Sequence, residues 1–258
     1  MEELDRWAVT RLNALMEKCF AAYDDYEFNA VTQAINDFCV VDLSSFYFDI
    51  IKDRLYCDEA DGLARRSAQT AIFLILDAMT RMFAPILAFT CDEIWLAMPH
   101  RAGDDERNVL LNQMVQPYTE YELGDMVSWA SLRMLRDGVN AALEAARAEK
   151  KIGKALEAHV TLVANAEGRE NLEAVRAHFE SMWADLFIVS DVEVSDDAAL
   201  YAEGSETPIA GVRVVVTEAK GEKCLRCWKH HTLVGKNEQF PELCPRCAAV
   251  VAKLPVIE

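Results

Sequence analysis

"KCLRCWKHHTLVGKNEQFPELCPRCAAV", residues 223–250, sets four cysteines as two CxxC pairs, Cys224 with Cys227 and Cys244 with Cys247, sixteen residues apart. A two-residue gap lets both sulfurs of a tight turn face one point. Two such knuckles complete a tetrahedron around Zn²⁺ at a Zn–S distance of ~2.3 Å. The spacing predicts one zinc ion; a rubredoxin-like iron is the minor alternative. A redox-active pair is disfavoured, because a thioredoxin-type site uses one CxxC beside a βαβ pattern. Four sulfurs leave no open position for an activated water, so the metal is expected to be structural and not catalytic. So short a segment with few apolar residues needs it, since metal binding supplies ~10–16 kcal/mol in comparable peptides. His230 and His231 could compete as ligands, but four thiolates suffice and both are expected on the surface.

Charge sharpens the question of what the knuckles face. Residues 220–253 hold seven lysines and arginines against three glutamates, a net of +4, in a chain of formal net charge −17, which leaves −21 elsewhere. A divalent ion with four thiolates brings −2, so the region stays slightly positive. A polyanion is repelled by most of this chain and tolerated here. Arg226 and Trp228 flank Cys227, and the turn should pin both. A guanidinium beside an indole suits a nucleobase, with stacking worth ~1–3 kcal/mol per base. The same residues admit a purely local reading, with Trp228 packed on the knuckle as a small core and Arg226 offsetting thiolate charge. On these residues alone the two readings stand level.

Upstream of the cysteines the texture is first helical, then mixed. In "FNAVTQAINDFCVVDLSSFYFDIIKDRLY" (28–56), Phe28, Val31, Ile35 and Phe38 recur at the spacing of one buried helical face. A turn at "CDEADG" leads to a second long helix, from about Leu63 towards Phe83. Pro85 should kink it or begin the next one, which runs on to Met98. After a polar loop (99–108), residues 123–153 read as a further helix stopped by Gly153. "EAHVTLVA" (157–164), "DLFIVSDVEV" (185–194) and "GVRVVVTEA" (211–219) read as strands, with a helix at 167–181 between the first two. The expected fold is mainly α: an antiparallel helix bundle (1–153), a small α/β unit (154–219) and a C-terminal four-cysteine zinc ribbon (220–258).

Hydrophobic residues make up 52% and charged residues 27%, which predicts an ordered globular chain. The most apolar stretch, "AIFLILDAMTRMFAPILAF" (71–89), is broken by Asp77 and Arg81 and reads as bundle core, not as a membrane span. The acidic, amphipathic N-terminus lacks a signal-peptide pattern, and the cytoplasm is the expected address. Cys19, Cys39, Cys57 and Cys91 lie in apolar helical sequence and are expected to be free core thiols.

Taken in order, "ELDRWAVTRLNAL", "NDFCVVDLSSFYFDIIKDRLY", "FAPILAFTCDEIW", "KKIGKALEAHVTL", "LFIVSDVEV" and "EKCLRCW…LCPRC" resemble the C-terminal part of bacterial-type isoleucyl-tRNA synthetases. The resemblance runs from about residue 3 to residue 250. It implies that residues 1–150 form the anticodon-binding bundle shared with the valyl, leucyl and methionyl enzymes. It also implies that the zinc element closes over the anticodon loop, and that Arg226 and Trp228 contact loop nucleotides. The implied partner is isoleucine tRNA, with no DNA and no membrane, and the chain is expected to be a monomer. Lys52 and Arg54 are candidates for tRNA contact in the bundle, set against structural ion pairs of equal standing.

The family's catalytic chemistry, ATP-dependent esterification of isoleucine to tRNA, needs HIGH-type and KMSKS-type sequences. Neither occurs, and "KIGK" (151–154) is a superficial echo at an expected helix end. The chain is therefore expected to be part of a longer parent, with Met1 not the parent's own start; it binds tRNA without aminoacylating it, and ATP belongs to the missing catalytic domain. Two rivals remain. A DNA glycosylase with a four-cysteine finger needs an N-terminal proline nucleophile, which "MEELDRW" lacks. A non-enzymatic protein-interaction module, a helical bundle with a structural zinc ribbon, suits the acidic surface.

Overall fold

A computed structural model describes residues 1–254. The chain divides into two compact units, Met1–Gly124 and from Asp125 onward.

The first unit is helical: α1 (Glu3–Asp24), α2 (Phe28–Asp37), α3 (Phe48–Cys57), α4 (Leu63–Phe83) and α5 (Ala88–Ala97). Along α1, Leu4, Trp7, Ala8, Leu12, Leu15, Met16 and Cys19 are buried, one apolar stripe at helical period. Between α2 and α3 the helix does not stop but widens into π geometry over Phe38–Tyr47. Phe38, Asp42, Leu43, Phe46 and Tyr47 are the buried residues there, a spacing longer than the α period and suited to i→i+5 turns. The widening delivers Asp42 to Arg11 of α1 at 3.0 Å. Pro85 falls in the break between α4 and α5, as its missing N–H requires.

Two buried polar clusters tie this unit together. Asp5, fully buried in α1, accepts from Tyr47 Oη at 2.7 Å and Ser67 Oγ at 2.5 Å, and Arg54 approaches it at 3.6 Å. Burial holds the Asp5 carboxyl above its usual range. In the second cluster, Asp77 of α4 accepts from Arg81 Nε at 2.8 Å and pairs with Arg101 Nη2 at 2.7 Å. Arg81 also reaches Asp104 at 2.7 Å and lies over the Trp95 ring, 4.7 Å from its centroid. The residues that break the apolar run in the sequence thus clamp the loop after α5.

The second unit begins with α6 (Met126–Ala148), whose Asp125 cap accepts from Ser128 N at 3.0 Å. A mixed sheet follows in the order β2–β1–β4–β3, formed by β1 (Ala158–Ala164), β2 (Asp191–Ser195), β3 (Ser205–Glu206) and β4 (Val212–Glu218). β1 runs parallel to β2 and antiparallel to β4, with Val160 opposite Val192 and Val216. Three short helices lie between the strands, α7 (Gly168–Phe179), α8 (Trp183–Leu186) and α9 (Ala198–Glu203). A close approach seats α6 on the segment after β3: a Cβ added to Gly138 would lie 2.6 Å from Thr207 Cβ. α6, grouped from texture with the bundle at 1–153, therefore shares a compact unit with the sheet.

Two local expectations are corrected. α6 ends at Ala148, five residues before Gly153, because Lys150 takes the left-handed position (φ 59°) and Lys151 N closes on Ala146 O at 2.9 Å. Of "DLFIVSDVEV" (185–194) only the last four residues form strand, within β2 (Asp191–Ser195). The first half completes α8 and turns at Ile188 (φ 57°), with Val189 N bonded to Ala184 O at 3.0 Å and Arg136 Nε of α6 to Leu186 O at 2.8 Å. Leu186, Phe187 and Val189 are buried, and a short apolar run does not distinguish strand from helix end by period alone.

Candidate metal centre and nucleic-acid interface

The ribbon starts as a hairpin of β5 (Glu222–Lys223) and β6 (His230–His231), and ends in α10 (Pro245–Val251). Gly221 opens it at φ 90°, where a Cβ would sit 2.4 Å from the His231 carbonyl carbon, so the turn requires glycine. Pro245 at the first turn of α10 loses only an amide that has no helical partner. The hairpin is docked on the α/β elements by His230 N to Ser190 Oγ at 2.7 Å, Lys229 Nζ to Asp185 at 2.5 Å and Ala219 N to Glu157 O at 2.7 Å.

The hairpin and the start of α10 bring Cys224, Cys227, Cys244 and Cys247 together, all buried, with their sulfurs within 4.8 Å of one another. The Sγ atoms of Cys227 and Cys244 are 3.8 Å apart. Sulfurs at ~2.3 Å from a tetrahedral ion lie about 3.8 Å from each other, so the donor set fits zinc. The Cys244 amide donates to Cys224 Sγ at 3.3 Å, a contact that favours thiolate. Without a cation two of the thiols resist ionisation: the hydrogen bond to Cys247 and burial push Cys227 up to about 12, and burial raises Cys244. A divalent ion reverses that preference. These four residues would hold one structural zinc, which supplies cross-linking and no open coordination position. His230 and His231 stand apart from the sulfurs; the His230 ring meets Gly221 O at 3.1 Å, and His231 Nδ1 accepts from Leu233 N at 3.0 Å.

Arg226 and Trp228 leave the same knuckle in different directions. Arg226 Nη1 points inward, 3.8 Å from Cys247 Sγ, where its charge offsets that of the sulfurs. Trp228 points outward with 55% of its surface exposed, and is not a lid over the metal. Its backbone is left-handed (φ 67°), with its amide bonded to Cys224 O at 2.9 Å. That conformation is costly for a bulky residue and cheap for glycine.

The bundle candidates Lys52 and Arg54 have partners within the first unit. Lys52 pairs with Asp49 at 2.9 Å and Arg54 with Asp5, so both make ion pairs within the bundle. Two residues near Trp228 escaped the sequence reading. Lys154 Nζ lies 5.8 Å and Lys223 Nζ 5.7 Å from the centroid of the indole. The signal for Lys154 was the lysine-rich "KKIGK" run (150–154), whose nearness to the knuckle depends on how β1 and the hairpin pack; Lys223 opens the cysteine stretch itself. Among the described residues no helix is long and apolar enough to cross a membrane.

Comparison with known proteins agrees with this arrangement. The family described as the anticodon-binding domain of tRNA ligase matches residues 5–162, and a zinc finger found in FPG and IleRS matches residues 221–250. The isoleucine–tRNA ligase of Syntrophotalea carbinolica is 44% identical over 96% of this chain and 26% of its own length. Those of Carboxydothermus hydrogenoformans and Geobacter sulfurreducens are 41% and 40% identical, over 98% and 97% of the chain and again 26% of their own length. The chain thus spans about a quarter of the curated relatives it matches.

Proposed function

The chain belongs to the family of tRNA-ligase anticodon-binding domains, and from that premise we propose that it grips the anticodon arm of isoleucine tRNA, with Trp228 stacking on an unpaired loop base. The observation that carries this reading is the exposed indole held in left-handed backbone beside a buried metal centre. Sequence-selective RNA readers stack splayed loop bases on aromatic rings in this way. Arg226 takes a second part: its guanidinium, with Nη1 3.8 Å from Cys247 Sγ, keeps a fixed positive charge on the knuckle that carries the ring, which favours the approach of a phosphate. The zinc fixes the knuckle and takes no part in chemistry. In the longer parent, named isoleucine–tRNA ligase in the relatives, the reaction is ATP-dependent charging of tRNA in a separate catalytic domain. This chain's share is selection and placement of the tRNA. The protein is expected to act as a cytoplasmic monomer.

Titration with labelled isoleucine tRNA at stated salt tests the reading. Trp228→Ala is expected to weaken binding by ~1–3 kcal/mol and to leave zinc content and helicity unchanged. Trp228→Gly sharpens the test: glycine relieves the left-handed strain, so the ribbon stays at least as stable while tRNA affinity falls. Undiminished affinity in both variants, or loss of metal from the glycine variant, overturns the role of the ring. An unrelated tRNA binding equally well overturns isoleucine selectivity, and no binding at low salt favours a protein partner.

A further inference from the structure

We propose that Lys154, on the loop that leaves α6, is a tRNA-binding residue that works with Lys223 to hold the phosphate next to the base stacked on Trp228. The proposal rests on the tRNA reading above and extends the interface beyond the zinc ribbon. Both ammonium groups stand within the ~6 Å at which a cation and an indole interact. They arrive from separate segments. Lys223 rides on β5, whereas Lys154 is set by its own loop, where the Glu157 carboxylate accepts from Gly153 N at 2.9 Å and Lys154 N at 3.1 Å. That loop joins the residue leading into the ribbon through Glu157 O and Ala219 N, at 2.7 Å.

Neighbouring cations are already engaged. Lys151 pairs with Glu149 at 2.7 Å, Lys229 with Asp185 at 2.5 Å, and Arg226 faces Cys247. Among the described residues, neither Lys154 nor Lys223 pairs with a carboxylate. The Glu157 carboxylate, bonded to the amides of Gly153 and Lys154, feels the charge of Lys223 without an ion pair. In a chain of net charge −17, two ammonium groups outside any ion pair and beside an exposed aromatic ring mark where a polyanion can approach. A nucleotide stacked on the ring carries its phosphate to the ring's edge, within reach of flexible lysine side chains, which bind phosphate as point charges.

Lys154→Met keeps the apolar stem and removes the charge. Against a labelled isoleucine tRNA transcript over a series of salt concentrations, it is expected to weaken binding about threefold to tenfold. The log–log salt slope should flatten by roughly 0.7–1, the signature of one lost phosphate contact. Lys154→Arg should restore most of both, and zinc content should not change. If Lys154→Met matches the parent chain in affinity and slope while Trp228→Ala weakens binding, this inference falls and the stacking reading stands. If neither variant differs from the parent chain, or the parent chain does not bind, both fall.

Discussion

Replacing Cys244 with serine is expected to release the zinc and unravel residues 220–253, while the helices of residues 1–124 keep their stability. The four sulfurs converge from a two-strand hairpin and a short helix. Beyond the cysteines themselves, only Ala248 and Val250 of this segment are buried apolar residues, so no hydrophobic core replaces the ion. Metal binding worth ~10–16 kcal/mol in comparable sites is then the ribbon's main folding energy. Two of the ribbon's anchors, His230 N on Ser190 and Lys229 on Asp185, depend on the hairpin being formed. The sheet beneath has its own buried residues, Val160, Leu162 and Val214, and should persist. Elemental analysis gives the zinc ratio, and hydrogen exchange shows which amides open. Stoichiometric zinc in the variant, or cooperative collapse of the whole chain, would contradict this account.

Asp77→Ala should cost the first unit about 3–5 kcal/mol, the usual consequence of removing one partner from a buried ion pair. Asp77 is 1% exposed and Arg81 7%, so water does little to replace the lost carboxylate at the guanidinium. Arg81 would keep Asp104, but Arg101 would lose its carboxylate and with it one tie between α4 and the loop after α5. Asp77→Asn, which keeps shape and hydrogen bonding, should cost less. Trp95, stacked under Arg81, offers a fluorescence signal for urea unfolding. A loss below about 1 kcal/mol would show that the cluster relaxes into solvent, as exposed ion pairs do.

Much of the site was legible without coordinates. The CxxC spacing implied the metal because two-residue gaps and a tetrahedral ion leave little geometric choice. The periodicity of Val31, Ile35 and Phe38 marked a buried helical face, although Phe28, read into the same face, is exposed. Less legible was anything set by a partner distant in sequence. Asp77 and Arg81 served only as evidence against a membrane span, yet they organise a loop through Arg101 and Asp104. Residues 185–190 carried strand-like composition, but Arg136, fifty residues earlier, holds their helix end.

The sequence by itself determined the helical and mixed parts, the four metal ligands and the positive ribbon on an acidic chain, because period, spacing and charge are local properties. Only the tertiary structure decided that Arg226 turns in towards the sulfurs and Trp228 turns out. It alone brought Lys154 beside that ring, some seventy residues away along the chain. Side-chain direction follows from the backbone angle at one residue and from which surfaces pack together, and neither is written in the order of the amino acids.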